Sequence, residues 1–187
     1  KQPGDGDPLA ANGLRAGALY ALASNDAGRT SEATFNVRGD SISVHWVPVP
    51  WDGTDAELDA AAKAALAFGF VRIEDGACDP VAPGNLYFVT TGKLPRANQP
   101  PACNERGRIY RLHFNPADPM AGGTLTLLLD GSDGLVAPDN VDVNRHGELA
   151  IEEDPGHDLH TLGVQRDASI WIYDIAARAL TKLNTEG

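Results

Sequence analysis

Short apolar stretches recur along the chain, each bounded by glycine, proline, asparagine or aspartate. Stretches rich in Leu, Ile, Val, Tyr and Thr at 18–22, 41–47, 70–74, 86–90, 108–114, 124–129, 140–143, 148–152, 169–174 and 179–183 predict strands. The alternation is imperfect. In the run Arg108, Ile109, Tyr110, Arg111, Leu112, His113, Phe114 the polar positions fall first three apart and then two. One segment has a different period. Thr54 with Glu57 three residues later has capping-box spacing, and Leu58, Ala61, Ala62, Ala65 and Leu66 follow at helical intervals. This predicts a helix over 55–67 whose role is packing.

The second half of the chain repeats. Gly84-Asn85-Leu86-Tyr87-Phe88-Val89 aligns with Gly147-Glu148-Leu149-Ala150-Ile151-Glu152, and Gly107–Leu112 aligns with Ala168–Tyr173. Gly123–Leu128 then aligns with Arg178–Leu183. Each unit reads as a meander of four strands, the unit of a β-propeller. The predicted fold is therefore all-β, a propeller portion with one short helix. It has a blade over 70–130, a second over 131–187, and a partial blade plus the helix over 1–69, with 17–50 as the remnant of an earlier blade. Propellers close with about four to eight blades. The remaining blades are thus expected from the rest of a longer polypeptide or from another chain.

Composition narrows the function. The 187 residues carry 15 Lys and Arg against 26 Asp and Glu, a net charge of −11, which argues against nucleic acid or an anionic membrane as partner. No run is apolar for the roughly 20 residues a transmembrane helix needs. The two cysteines, Cys78 and Cys103, both lie near prolines and are either a disulfide pair or two buried free thiols. No CxxC or CxxH pattern points to zinc, and no Gly-x-Ser-x-Gly sequence points to a serine hydrolase.

Acidic residues supply the candidate chemistry. Arg72-Ile73-Glu74-Asp75-Gly76 is placed at the end of a first blade strand, Pro138-Asp139-Asn140 at the start of the next blade, and Glu152-Glu153-Asp154 at the end of its second strand. Inner strands line a propeller's channel, so carboxylates at their ends can converge there, and hard oxygen donors in that arrangement suit Ca²⁺. The same residues also read as solvated turn acids. His157-Asp158-x-His160 is a weaker metal candidate. Asp130-Gly131-Ser132-Asp133-Gly134 and Arg38-Gly39-Asp40 read as turns, and Trp46, Trp51 and Trp171 as packing residues of the blades.

Taken together, Phe70-Val71-Arg72-Ile73-Glu74-Asp75-Gly76, Leu86–Gly92, Gly107–Leu112, Leu127–Gly131, Pro138-Asp139-Asn140 and Glu153-Asp154 resemble the PhoX-type alkaline phosphatase family of exported bacterial β-propellers. The resemblance covers about 68–185. It implies a secreted or periplasmic metalloenzyme that hydrolyses a small phosphoester with calcium and iron in the channel. It also implies that Glu74 and Glu153 are metal ligands, with Asp75, Asp139, Asn140 and Asp154 as supporting or calcium-binding candidates. The chain departs from the family in two places. Characterised members read Arg-Gly-Glu-Gly-Ala-Trp where this chain reads Arg72-Ile73-Glu74-Asp75-Gly76-Ala77, and neither cysteine stands where the family's iron-ligating Cys does, so iron is the weaker implication. Two rival readings remain: a non-catalytic, calcium-stabilised propeller used for binding or assembly, and a lactonase-like calcium hydrolase.

Overall fold

The computed structural model describes residues 17–93, 101–154 and 167–183. Their order is β1 (Leu19–Ser24), β2 (Ser41–Val49), α1 (Asp55–Ala64), β3 (Ile73–Cys78), β4 (Asn85–Thr90), β5 (Arg108–Phe114), β6 (Gly123–Leu129), β7 (Pro138–Val143), β8 (Glu148–Glu153), β9 (Ile170–Asp174) and β10 (Ala179–Leu183). The strands form two antiparallel sheets, one ordered β1-β2-β6-β5-β4-β3 and the other β10-β9-β8-β7. The fold is all-β and propeller-like, and the repeat seen in the sequence matches β4, β5 and β6 with β8, β9 and β10, which are neighbours in the same order in their sheets.

The two sheets pack face to face. Tyr87, Val89, Ile109 and Leu129 of the first meet Val141, Leu149, Ile151 and Trp171 of the second. On its other face the first sheet buries Phe88, Tyr110, Leu112, Leu125 and Leu127 beneath Phe35 and Phe68. A strand covered on both faces has no reason to alternate. This explains the irregular pattern of β5, where Ile109 and Tyr110 are both fully buried in opposite cores.

Residues 17–50 differ from expectation. They extend the sheet of β3–β6 and do not begin an earlier blade, because β2 pairs with β6 in the register Ser41↔Thr126 to Val44↔Gly123. The driving force is burial of Ile42 and Val44 in the second core. The strand expected at 70–74 starts later, at Ile73, so Arg72–Asp75 sits at a strand's beginning and not its end.

The helix begins as predicted. Thr54 accepts from Glu57 N–H, Glu57 accepts from Thr54 N–H, and the capping box is complete. It ends at Ala64, followed by Leu66 in a left-handed conformation (φ 59). It does not fill the packing role expected of it, since none of its residues is buried. Its apolar face is mostly alanine, which has little area to bury. Trp171 packs in the core between the sheets and Trp46 lies against the other core, but Trp51 is 72% exposed.

Both cysteines are free and exposed. Cys78 lies opposite Leu86 at the start of β4, whereas the Cys103 carbonyl accepts from Arg108, which lies opposite Thr90 at the end of β4. Asp130 accepts from both the N–H and the hydroxyl of Ser132, so that segment is the turn expected. His157, Asp158 and His160 lie outside the described residues. Among the described residues no helix is long and apolar enough to cross a membrane.

The two sheets meet at Gly107. Its φ is +88°, and a Cβ there would stand 2.7 Å from the Thr90 carbonyl oxygen and run into the ring of Pro138, the first residue of β7. Gly147 has a similar φ of +80° with nothing within 4 Å of its would-be Cβ. Gly147→Ala should therefore cost about 1 kcal/mol from backbone conformation alone. Gly107→Ala should cost about 2 kcal/mol or more. Urea unfolding of the two variants measures the difference, and equal losses would show that the contact with Pro138 does not matter.

Candidate functional site

The first strands of the two repeats, β3 and β7, lie against each other across the sheets and begin in the same way. Each is preceded by a non-glycine residue in the left-handed region, Arg72 (φ 60) before β3 and Ala137 (φ 50) before β7. The carbonyl of Arg72 accepts from Thr91 N–H at 2.9 Å, and that of Ala137 accepts from Asp154 N–H at 2.9 Å. Both strands then bulge. Register shifts between Ile73 and Gly76 against β4, and between Pro138 and Asn140 against β8. The residues in the bulges are Glu74, Asp75 and Asp139. A bulge breaks the in–out alternation and re-aims side chains, and bulges are frequent beside active sites.

These acids form a loose group. Asp75 Oδ2 accepts from Val141 N–H of β7 at 3.1 Å, which ties the two inner strands together. Glu74 pairs with Arg72 at 3.2 Å, and Arg72 also donates to the Gly92 carbonyl. Asn140 donates to Asp139 Oδ2 at 3.3 Å. The Asp139 carboxyl is held above the usual aspartate range, first by burial and then by the negative charges of Glu74, Asp154 and Asp75, against which Arg72 is the opposing cation. Four carboxylates therefore share one electrostatic neighbourhood, and Asp139 carries the penalty. Among the described residues no group of three or more His, Cys, Asp and Glu side chains is gathered at ligating distance. The donors that come near each other are all oxygen atoms, which fits a hard cation such as Ca²⁺.

Glu153 is placed differently. It is 6% exposed, and its carboxylate accepts from Val136 N–H at 2.8 Å and Ser169 N–H at 2.9 Å. Glu74 and Glu153 are thus engaged by separate partners.

Sequence reasoning missed the counterpart of Glu153 in the first repeat. Its equivalent on β4 is Thr90, and the carboxylate there comes from Glu32, which is fully buried. Glu32 Oε2 accepts from Val71 N–H at 3.1 Å and Asn104 Nδ2 at 3.0 Å, and its Oε1 accepts from Thr90 Oγ1 at 2.8 Å and Tyr110 OH at 3.0 Å. Val71 precedes Arg72 as Val136 precedes Ala137. In both repeats a buried carboxylate holds the amide just before the left-handed residue that starts the bulged strand. No motif in the sequence flags Glu32, because the carboxylates of the two repeats come from unrelated places in the chain.

No family model matches the chain, and no curated protein matches it. Among solved structures it is similar to Pseudomonas fluorescens PhoX in complex with vanadate, a transition state analogue, with a TM-score of 0.63 and 17% sequence identity over 94% of this chain and 37% of that one. At that identity the likeness is one of fold: the chain has a PhoX-like, propeller-like fold and spans little more than a third of the length of PhoX.

Proposed function

We propose that the chain supplies one wall of a metal-dependent phosphoester hydrolase, with the acids at the two bulges binding calcium. The observation that carries this reading is the placement of Glu74, Asp75 and Asp139 on matching bulges of the adjacent strands β3 and β7, where burial and then the neighbouring carboxylates raise Asp139. Similarity of fold to a PhoX structure that holds vanadate supports the phosphoryl chemistry, and an exported location belongs with the same reading. A bound cation would offset the carboxylate charge and polarise phosphoryl oxygens. Glu74, Asp139 and Asp154 would hold it. Asp75 would fix the spacing of β3 and β7 through Val141, and Arg72 would hold Glu74 in place.

The test is calcium content and hydrolysis of an aryl phosphate by the full-length protein. Glu74→Gln and Asp139→Asn should each weaken calcium at least about tenfold and lower turnover about a hundredfold or more. Calcium binding should also weaken as pH falls through the raised Asp139 pKa, because the proton and the cation compete for that carboxylate. Calcium bound without turnover would favour the binding-module reading, to which Glu153 lends support by spending its oxygens on backbone amides. No calcium at all would sink both.

A further inference from the structure

A cleft of about 300 Å³ opens between the sheets, bordered by β5 and β6 on one side and by the end of β9 and the turn into β10 on the other. It lies two strands out from the acidic bulges, and its charge is opposite to theirs. Arg38, Arg111 and Arg178 line it together with Tyr173. All three guanidinium groups lie close enough to the Tyr173 hydroxyl to act on its charge state. Asp133 also acts on that hydroxyl and is paired with Arg38, on which Asp130 acts as well. The lining itself carries three arginines and no carboxylate, in a chain whose net charge is −11.

The cations are not equivalent. Arg38 is neutralised by Asp133 and fixed by a 3.1 Å bond from Nε to the Leu128 carbonyl. Arg111 and Arg178 form no ion pair among the described residues. Arg111 emerges from β5 beside the Tyr87 hydroxyl, and its Nε is enclosed without a hydrogen-bond partner. A guanidinium partly removed from water with a donor unused is costly unless an acceptor reaches it. Arg178, exposed on the turn between β9 and β10 with φ 54, closes the mouth. Leu128 and Ile175 add apolar wall between the arginines.

We infer that this cleft binds a phosphate group, held between the two unpaired guanidinium groups of Arg111 and Arg178 with the Tyr173 hydroxyl as a further donor. Planar guanidinium forks match tetrahedral oxyanions, and a dianion would neutralise the two arginines that lack a carboxylate. The volume admits inorganic phosphate or the phosphate end of a small organic ester. The inference does not rest on the bulge acids and stands if they bind no metal.

The experiment is calorimetric titration of the full-length Asp139→Asn protein with inorganic phosphate and, separately, with phenyl phosphate. The substitution keeps turnover and the acidic site out of the signal. Saturable binding of either ligand is expected, the tighter one identifying the source of the phosphate. Arg178→Gln and Arg111→Gln should each weaken it by at least about tenfold, while Arg178→Lys retains part of the affinity. Arg178 is exposed, so its variants test the site even if Arg111→Gln fails to fold. Absence of binding up to about 10 mM, an affinity too weak for two guanidinium contacts, would overturn the inference. Arg178→Gln binding as tightly as its parent would do the same.

Discussion

Glu32→Ala is expected to destabilise the fold by about 3–5 kcal/mol, the largest effect of any single substitution considered. The side chain is fully buried and takes hydrogen bonds from four donors on four different segments: Val71, Thr90, Asn104 and Tyr110. Alanine would leave these donors facing a void. It would also remove the negative charge that offsets buried Arg108, whose Nη1 is held by the carbonyls of Glu32 and Phe35 and lies 3.3 Å from the Tyr110 hydroxyl. Tyr110 is locked as a neutral donor, since burial above all, and then the Glu32 charge, push its phenol far up. Glu32→Gln keeps the shape but turns one acceptor into a donor among donors, so a smaller loss of about 1–3 kcal/mol is expected. Urea unfolding checks both. A Glu32→Ala protein within about 1 kcal/mol of the parent would show that the cluster is not what ties the 17–50 segment to β3–β5.

What could be read from the sequence follows from what periodicity encodes. Apolar β-formers located β5 and β10 to the residue, and the Thr54–Glu57 pair located the start of α1, because those signals are local. The repeat was legible for the same reason, since Gly84 and Gly147 each open a strand with a matching run behind it. Which edge β2 would choose was not legible. Alternation in Ser41–Val49 says that one face is buried but not against which neighbour. Helix burial was misjudged because alanines at the right spacing look like a buried face while providing almost no area. Within the candidate site, the acidic runs carrying Glu74, Asp75, Asp139 and Asp154 were visible, but the bulges in β3 and β7 were not. Nor can sequence separate an acid exposed to solvent from one that serves backbone amides. Glu152 and Glu153 are adjacent and chemically alike, yet Glu152 is exposed and Glu153 is buried.

That adjacency gives the second large effect. Glu153→Ala is expected to cost about 2–4 kcal/mol, because the N–H groups of Val136 and Ser169, just before β7 and β9, lose their acceptor. Glu153→Gln should cost about 1–3 kcal/mol, since its amide nitrogen must face one of two donors. Glu74→Gln sits on an exposed bulge opposite Arg72 and should change stability by no more than about 0.5 kcal/mol while weakening calcium. The two glutamates implied as equivalent metal ligands are thus predicted to separate cleanly: one through stability with calcium affinity falling only as the strand start loosens, the other through calcium with stability unchanged. Thermal unfolding with and without calcium, run on both variants, makes the comparison. If Glu153→Gln instead unfolds like the parent and loses calcium as Glu74→Gln does, the carboxylate serves the ion and not the amides, and the two buried acids of the repeats are not counterparts.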